Sequence, residues 1–494
     1  MLKVLVVDDN SDWRQKIKDR LVRINCEAEL ASNEGEALVQ LTQTDFQVAI
    51  VDVRLHGDSP EDQSGLSLAL AIRSLKPKTQ VILLTKYVRA DQVVRAVRYH
   101  GVIDFIDKSN PNWFDLLQKT LEETQETQQK EKQLGLQDSS DSSKLSISLI
   151  QGRPLMARSR GRHVYSISTP EVLQIKKVDY ARKTEMAQKD QKNRRFLVAD
   201  IGDDLYCDIF DKHYDLKGLY LEARTKSKIL TLQFETSREL VNLPLEFIRS
   251  DQPEEYLVLQ HPLSRFVFNA APRHYAISPQ ILAVLPKLRI LLISSNTLPF
   301  IGGVDAEIRE LQMFLNTQEF FPVEVDTINT RNATYEAVRE KLRNCDYDIV
   351  HYAGHGYYQT ESPEESSIFF WEDKDKQGEV LQMTAAEITL LLRESKVRFV
   401  YLSSCYGATT GIDVERLDDD FLGLADAIVQ SGVPSVLGYR WPASDTGAKK
   451  LACAFYGSLL KQGSLEIALW QARCELAVNR NDPTWLSPIL IHQS

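Results

Sequence analysis

Between Met1 and Glu123, short apolar runs alternate with amphipathic stretches, and that alternation leaves few folds open. LKVLVV (2–7), FQVAIVDV (46–53), TQVILLT (79–85) and GVIDFID (101–107) are apolar and strand-like. DWRQKIKDRLVRI (12–24), NEGEALVQLTQ (33–43), GLSLALAIRSL (65–75), ADQVVRAVRYH (90–100) and NWFDLLQKTLEE (112–123) carry apolar residues at helical spacing. Apolar strands of this kind need cover on both faces, which the helices of βα units provide. The pattern predicts five such units in a doubly wound parallel sheet.

A second constraint is EETQETQQKEKQLGLQDSSDSSK (122–144), polar and low in complexity, which cannot bury enough apolar area to offset its own ordering. It sets a first domain at 1–123 and a linker at 124–144, helical at first and flexible near DSSDSS. From 145 to 286 the chain reads as mixed α+β, with strands such as KILTLQF (228–234) and EYLVLQH (255–261). From 287 to 494 α/β alternation returns, in LRILLIS, DAEIRELQMFLN, PVEVDTI, ATYEAVREKLR, DYDIVHYA, RFVYLSS and SVLGYRW. The expected class is α/β throughout: a doubly wound domain, then a second α/β domain with an α+β N-terminal extension. No internal repeat is evident.

In an open parallel sheet the side chains at the carboxyl ends of central strands converge on one crevice, and here those ends supply Asp8, Asp9 and Asp52. Three carboxylates share such a space only with a hard cation to neutralise them, and Mg²⁺ is the oxygen-seeking candidate. Thr85 and Lys108, at the next strand ends, offer a hydroxyl and an ammonium suited to phosphate oxygens. Ordinary polar strand termini would also place some acids there, but not the whole set in strand order. The segment resembles two-component receiver domains over its whole length. The resemblance implies that Asp52 accepts a phosphoryl group, that Asp8 and Asp9 help hold Mg²⁺, and that Thr85 with Phe105 forms a side-chain switch. It also implies a histidine kinase or phosphotransfer protein as partner. Any effect on the second half must pass through an altered contact, either pairing of receivers into a homodimer or release of a docked domain. The sequence departs from the family in a longer loop after Asp52, in Arg54, and in Ser109 after Lys108, which bear on phosphate lifetime rather than on the acceptor.

A second constellation lies in HYAGHG (351–356), where His355 falls between two glycines as an apolar run ends. Fifty residues on, RFVYLSS leads into Cys405 in SSCYGA. Neighbouring parallel strands would bring both to one sheet edge, where a neutral imidazole takes the thiol proton. Gly354 and Gly356 let backbone crowd a substrate, and the amides of Gly356 and Cys405 are placed to form an oxyanion hole. Either residue alone reads as a buried histidine or an inert core cysteine; the order, the spacing and the C-x-G pattern together match the caspase-type arrangement. Cys345 falls in a helix-to-strand turn, and Cys453 and Cys474 on amphipathic helices, where packing explains them.

NLPLEFI (242–248), YAGHG, LSSC, FLGLADAIVQSGVPSVLGYRWPASD (421–445), FYGSLL and EIALWQAR resemble the CHAT domains, caspase-fold peptidases and peptidase-like modules of bacterial signalling proteins. The likeness covers about Arg195 to the C-terminus and implies protein cleavage: Cys405 attacks, His355 moves the proton, and no metal or other cofactor is needed at this centre. Some caspase-fold peptidases that cut after Arg or Lys resemble one another in an acid two residues before the cysteine. Ser403 stands there, so no strong basic preference is expected unless Asp445 or an acid between Asp413 and Asp420 supplies the charge. Asp418, Asp419 and Asp420 also suit a helix N-terminus.

The other reading of the second half is a signalling scaffold that binds a partner through a peptidase-like fold. A DNA-binding regulator would need a basic recognition helix after the first domain, and a net charge of −10 argues against specific nucleic-acid partners. The start, LKVLVVDD, lacks a signal peptide's features, and no apolar run approaches the roughly 18 residues of a membrane span, so a cytoplasmic protein without membrane contact is expected. Six cysteines with no C-x-x-C pair indicate neither disulfide framework nor zinc site.

Overall fold

The computed structural model describes residues 2–56, 62, 64–76, 79–86, 102–118, 120–122, 142–150, 155–159, 162–166, 169–190, 192–236, 240, 242–251, 253–267, 276–357, 366–373, 378–393, 395–404, 424–425, 428–429, 432–441 and 443–493. They fall into two compact units, one holding the first five strands and the other everything from the sixth onward.

The first unit is a parallel sheet of β1 (Leu2–Val7), β2 (Cys26–Ala31), β3 (Val48–Val51), β4 (Gln80–Thr85) and β5 (Val102–Asp107), in the order β2-β1-β3-β4-β5. Its strands are apolar on both faces because both are covered. Leu5, Val7, Ala49 and Leu83 pack into one core with helices α2 (Glu34–Gln43) and α3 (Ser64–Leu75), and Val4, Val6, Ile50 and Ile82 into another with α1 (Ser11–Arg23). Asn10 and Asn33 cap α1 and α2, each side chain accepting from backbone amides of the first turn. The helix expected at 90–100 lies outside the described residues.

The second unit is built on one sheet of eleven strands, in the order β14-β13-β15-β19-β20-β21-β12-β9-β6-β7-β8. They are β6 (Ser142–Leu149), β7 (Leu155–Ser159), β8 (Arg162–Ser166), β9 (Ile229–Thr236), β12 (Leu263–Val267), β13 (Leu288–Ser295), β14 (Val323–Ile328), β15 (Ile349–Gly354), β19 (Phe399–Ser404), β20 (Ser435–Tyr439) and β21 (Pro488–Gln493). Between them in chain order come the hairpin β10 (Arg249–Asp251) and β11 (Glu254–Tyr256), and the small sheet β16 (Gly356–Tyr357), β17 (Ser367–Trp371) and β18 (Val380–Thr384). The C-terminal strand β21 lies between β20 and β12, so the stretches expected as an extension (145–286) and a core (287–494) share one sheet.

Two local readings change. Ser142–Lys144, expected as linker, begin β6 and pair with Ile229–Thr231, because a strand needs partners more than it needs apolar residues at its end. EYLVLQH is a strand only to Tyr256; Leu257–Gln260 form one helical turn that buries Leu257 and Val258, a short apolar run being ambiguous between the two states. The rest of the linker, 124–141, lies outside the described residues. Helices α4 (Val304–Thr317), α5 (Asp445–Gln462) and α6 (Leu465–Leu476) cover one face of the β13–β20 region, and their apolar side chains pack with Ile290, Leu292, Tyr401 and Leu437. Among the described residues no helix is long and apolar enough to cross a membrane.

Candidate functional sites

In the first unit Asp8 follows β1, Asp52 follows β3, Thr85 closes β4 and Lys108 follows β5. Backbone bonds hold these ends together: the Asp52 amide donates to Val7 O at 2.8 Å and the Lys108 amide to Thr85 O at 2.7 Å. The Lys108 ammonium then donates to Asp8 Oδ2 and to Asp52 Oδ2, both at 2.5 Å. Asp8, Thr85 and Lys108 are buried. Burial raises the Asp8 carboxyl above the usual carboxylate range, against the opposing pull of Lys108.

One carboxylate oxygen each from Asp8, Asp9 and Asp52 lies within 4.8 Å of the others. Three hard oxygens at that spacing fit a divalent cation such as Mg²⁺. Asp9 is exposed and Asp52 half-buried, which leaves the cluster open to solvent on one side. The loop after Asp52 is tied by Asp62, whose Oδ2 accepts from the amides of Leu55 and His56 at 3.0 and 2.9 Å. Gly65 is required there, since a Cβ would stand 1.8 Å from the Asp52 carbonyl oxygen. Phe105 pairs with Leu83 in the β4–β5 register; its side chain lies outside the described residues.

In the second unit β15 and β19 are parallel neighbours, with Ala353 opposite Ser403 and Gly354 opposite Ser404. The next residue after Gly354 is His355, buried between β15 and β16. Its Nε2 stands 2.6 Å from the carbonyl oxygen of Pro299 and 3.2 Å from that of Thr297. Carbonyls only accept, so Nε2 carries the proton and Nδ1 keeps the lone pair of a base. Burial lowers the His355 pKa, outweighing the two carbonyls that favour the imidazolium. The ring also stacks on Phe369, with centroids 5.7 Å apart.

Cys405, the amide expected from it, and Asp418–Asp420 lie outside the described residues. Gly356 does not: the Phe369 amide donates to His355 O at 3.3 Å, which makes Gly356 and Ile368 a non-hydrogen-bonded antiparallel pair and turns the Gly356 amide away from β17. The expectation for Gly354 is corrected. A Cβ there would meet Ser295 O at 2.5 Å and the Tyr352 hydroxyl at 2.6 Å, so the glycine accommodates the protein's own backbone rather than a substrate.

Ser403 is also not what its position suggested. Instead of facing a substrate as a lone hydroxyl, it is fully buried and donates to Glu307 Oε2 at 2.9 Å. Glu307, on α4, is itself buried, with its other oxygen 3.2 Å from His351 Nε2. His351 stacks on Tyr401 and has Nδ1 3.3 Å from the Tyr456 hydroxyl. Asp445 is exposed at the start of α5, its carboxylate against Gly303, whose φ of +86° and lack of side chain both suit the close approach.

Sequence reasoning missed the residues that hold the histidine and the acid beneath it. Asn296 clamps the loop that carries Thr297 and Pro299, donating to Ile301 O at 3.0 Å and accepting from its amide at 2.7 Å. Asp305 accepts from Asn296, Ser294 and Thr330 in turn. Backbone carbonyls have no residue-type signature; the polar cluster in SSNT at the end of an apolar strand was the available signal.

A carboxylate cluster at the edge of a five-stranded parallel sheet, followed by a separate α/β unit with a strand-end histidine, defines a receiver joined to a caspase-like module. The chain belongs to the CHAT domain family, whose model matches residues 214–491, more than half of it; a response regulator receiver domain model matches residues 4–120. Among curated proteins, the response regulator protein PilR of Pseudomonas aeruginosa is 33% identical over 106 residues, 22% of each chain. The transcriptional regulatory protein ZraR of Escherichia coli is 29% identical over 121 residues, 24% of this chain and 26% of that one. The chain thus spans about a quarter of the length of these relatives. Among solved structures, the receiver domain of NtrX from Brucella abortus is 28% identical, with 25% of this chain and 98% of that one covered and a TM-score of 0.23.

Proposed function

We propose that the chain is a cysteine endopeptidase of bacterial signalling whose activity is set by phosphorylation of Asp52. The observation that carries the reading is the β15–β19 register: Gly354 stands opposite Ser404, and the next residue of each segment is His355 in one and Cys405 in the other. The tautomer of His355 supports it, since Nε2–H is committed to Pro299 and Thr297 and Nδ1 is left as the base.

In this mechanism His355 Nδ1 takes the proton of the Cys405 thiol as sulfur bonds to the peptide carbonyl carbon. The Gly356 amide, together with that of Cys405, stabilises the oxyanion. The imidazolium returns the proton to the leaving amine, the C–N bond breaks, and water hydrolyses the thioester, restoring the thiol. At the receiver, Asp52 accepts the phosphoryl group from a histidine kinase or phosphotransfer protein, with Lys108 and Thr85 on its oxygens and Phe105 as the second half of the switch. Asp8, Asp9 and Asp52 would hold Mg²⁺, which supplies positive charge against the phosphoryl oxygens. The likeness of residues 4–120 to response regulators supports this half.

The test incubates the protein, with and without Mg²⁺ and a phosphoryl mimic, in a proteome extract and sequences new N-termini. New termini that depend on Cys405 establish the peptidase. An intact, folded protein that generates none points to the scaffold reading, in which the fold binds a partner without cutting it.

A further inference from the structure

We propose that the helix Thr169–Lys189 of the second unit pairs antiparallel with the same helix of a second copy of this chain, making a twofold dimer. The inference is independent of the peptidase reading, because the surface lies on a helix that takes no part in that site. On its inner side the helix packs Leu173, Tyr180 and Ala187 into the core of the unit. Two of its lysines are committed to acids of the same unit, Lys176 to Asp208 at 2.7 Å and Lys183 to Asp200 and Asp204 at 2.7 and 2.8 Å. A solvated outer side would be polar, yet Ile175 is 80% exposed, Val178 69% and Met186 51%. A helix that is apolar on opposite sides is one that is covered on both. Phe196, 75% exposed, extends this surface at the Met186 end: two residues before it, Arg194 donates to the carbonyls of Ala187 and Gln188, both at 2.8 Å.

The order of residues along the outer side names the occupant. Ile175, Asp179, Arg182 and Met186 are spaced four, three and four residues apart, which is the spacing of a coiled-coil seam and reads the same from either end. With a second helix laid antiparallel about a dyad between Tyr180 and Ala181, Ile175 meets Met186 of the second copy and Asp179 meets its Arg182, and the dyad makes each contact twice. A parallel pair would set Asp179 against Asp179 and Arg182 against Arg182, so charge selects the antiparallel one. Within one chain Asp179 and Arg182 bond at 2.9 Å with both side chains largely exposed, a pair worth little in water. Between two helices the four charges form one network with apolar contacts at either end, where solvent and salt screen them less.

The test measures the dimer of the full chain by sedimentation at micromolar concentration, with no phosphoryl donor present, so that phosphorylated receivers play no part. Asp179→Arg and Arg182→Asp each place like charges together twice across the dyad, and each should weaken the dimer by about tenfold or more. Mixed in equal amounts, the two variants complement one another at both contacts, and their heterodimer should form with a Kd within about threefold of the parent's. Ile175→Glu mixed with Met186→Lys repeats the experiment on the outer contacts and carries it should a charge variant not fold. A parent that stays monomeric overturns the inference and leaves the face to a different partner. So does a dimer that neither charge variant weakens, which would be held by the receivers or another surface, and so does a mixture of two folded variants that fails to pair.

Discussion

Pro299 presents its carbonyl oxygen to His355 Nε2 at 2.6 Å, and this contact decides which nitrogen of the neutral ring carries the proton. The loop that carries it is clamped by Asn296, and Asn296 in turn is bonded to Asp305 at the start of α4. The histidine is therefore aimed by backbone, through a chain of neutral bonds anchored on one carboxylate. Burial of Asp305 is more than offset by the donors around it, which hold its carboxyl below the usual range.

Replacing either member of the dyad should abolish cleavage. Cys405→Ala is expected to remove both turnover and probe labelling, and His355→Ala to lower kcat by at least about a hundredfold. Three of the other thiols compete less for a thiolate probe, because burial pushes Cys453 up to about 11 and raises Cys26 and Cys474. Since burial lowers the His355 pKa, its neutral form survives further into acid, and the acid limb of kcat/KM should fall below the ordinary histidine value of 6.5. A pH profile whose acid limb lies above that value contradicts the assignment.

Asn296→Ala should act through position rather than chemistry. Releasing the 297–301 loop lets the carbonyls drift and the ring with them, so kcat should fall about tenfold to a hundredfold with KM nearly unchanged. Asn296→Asp, which keeps the acceptor for the Ile301 amide, should recover part of the loss. Steady-state kinetics on the three proteins separates this from a loss of fold.

Phosphorylation of Asp52 should change cleavage, and activation is the expected sign, since the phosphorylated state is the transient one. The comparison is the parent and Asp52→Ala, each with and without Mg²⁺ and a phosphoryl mimic. A response in the parent alone places the switch at Asp52, and a hundredfold effect corresponds to about 2.7 kcal/mol of difference between states. Equal rates in all four samples would make the receiver a docking module.

His261 should make the second unit acid-sensitive. It is buried against the Tyr220 hydroxyl at 3.0 Å, and burial lowers its pKa to about 4. Between that value and the unfolded value of 6.5, the unfolded chain binds a proton that the folded chain does not, so stability rises with pH through this window. Acidification from 6.5 to about 4 should cost up to about 3 kcal/mol from this residue, fully expressed below the folded pKa. Unfolding of parent and His261→Gln across pH 4–7 checks it; the variant should lose that part of the slope.

Much of this protein is written locally. Apolar runs of strand length, each ending in an acid, hydroxyl or lysine, are enough to place Asp8, Asp52, Thr85 and Lys108 at one edge, because parallel strands in βα units all end on the same side. By the same logic His355 and the residue after Ser404 are expected at one sheet edge, and the described register runs as far as Gly354 opposite Ser404. What the chain did not disclose are contacts whose partners have no local pattern. Glu307 reaches Ser403 across 96 positions, and two backbone carbonyls nearly 60 residues away choose the tautomer of His355. The insertion of β21 between β20 and β12, which joins the two parts of the second unit, rests likewise on hydrogen bonds between the last strand and strands far upstream. Periodicity reports which face of an element is buried, whereas which elements meet, and which nitrogen of a ring is left free when they do, is decided by packing.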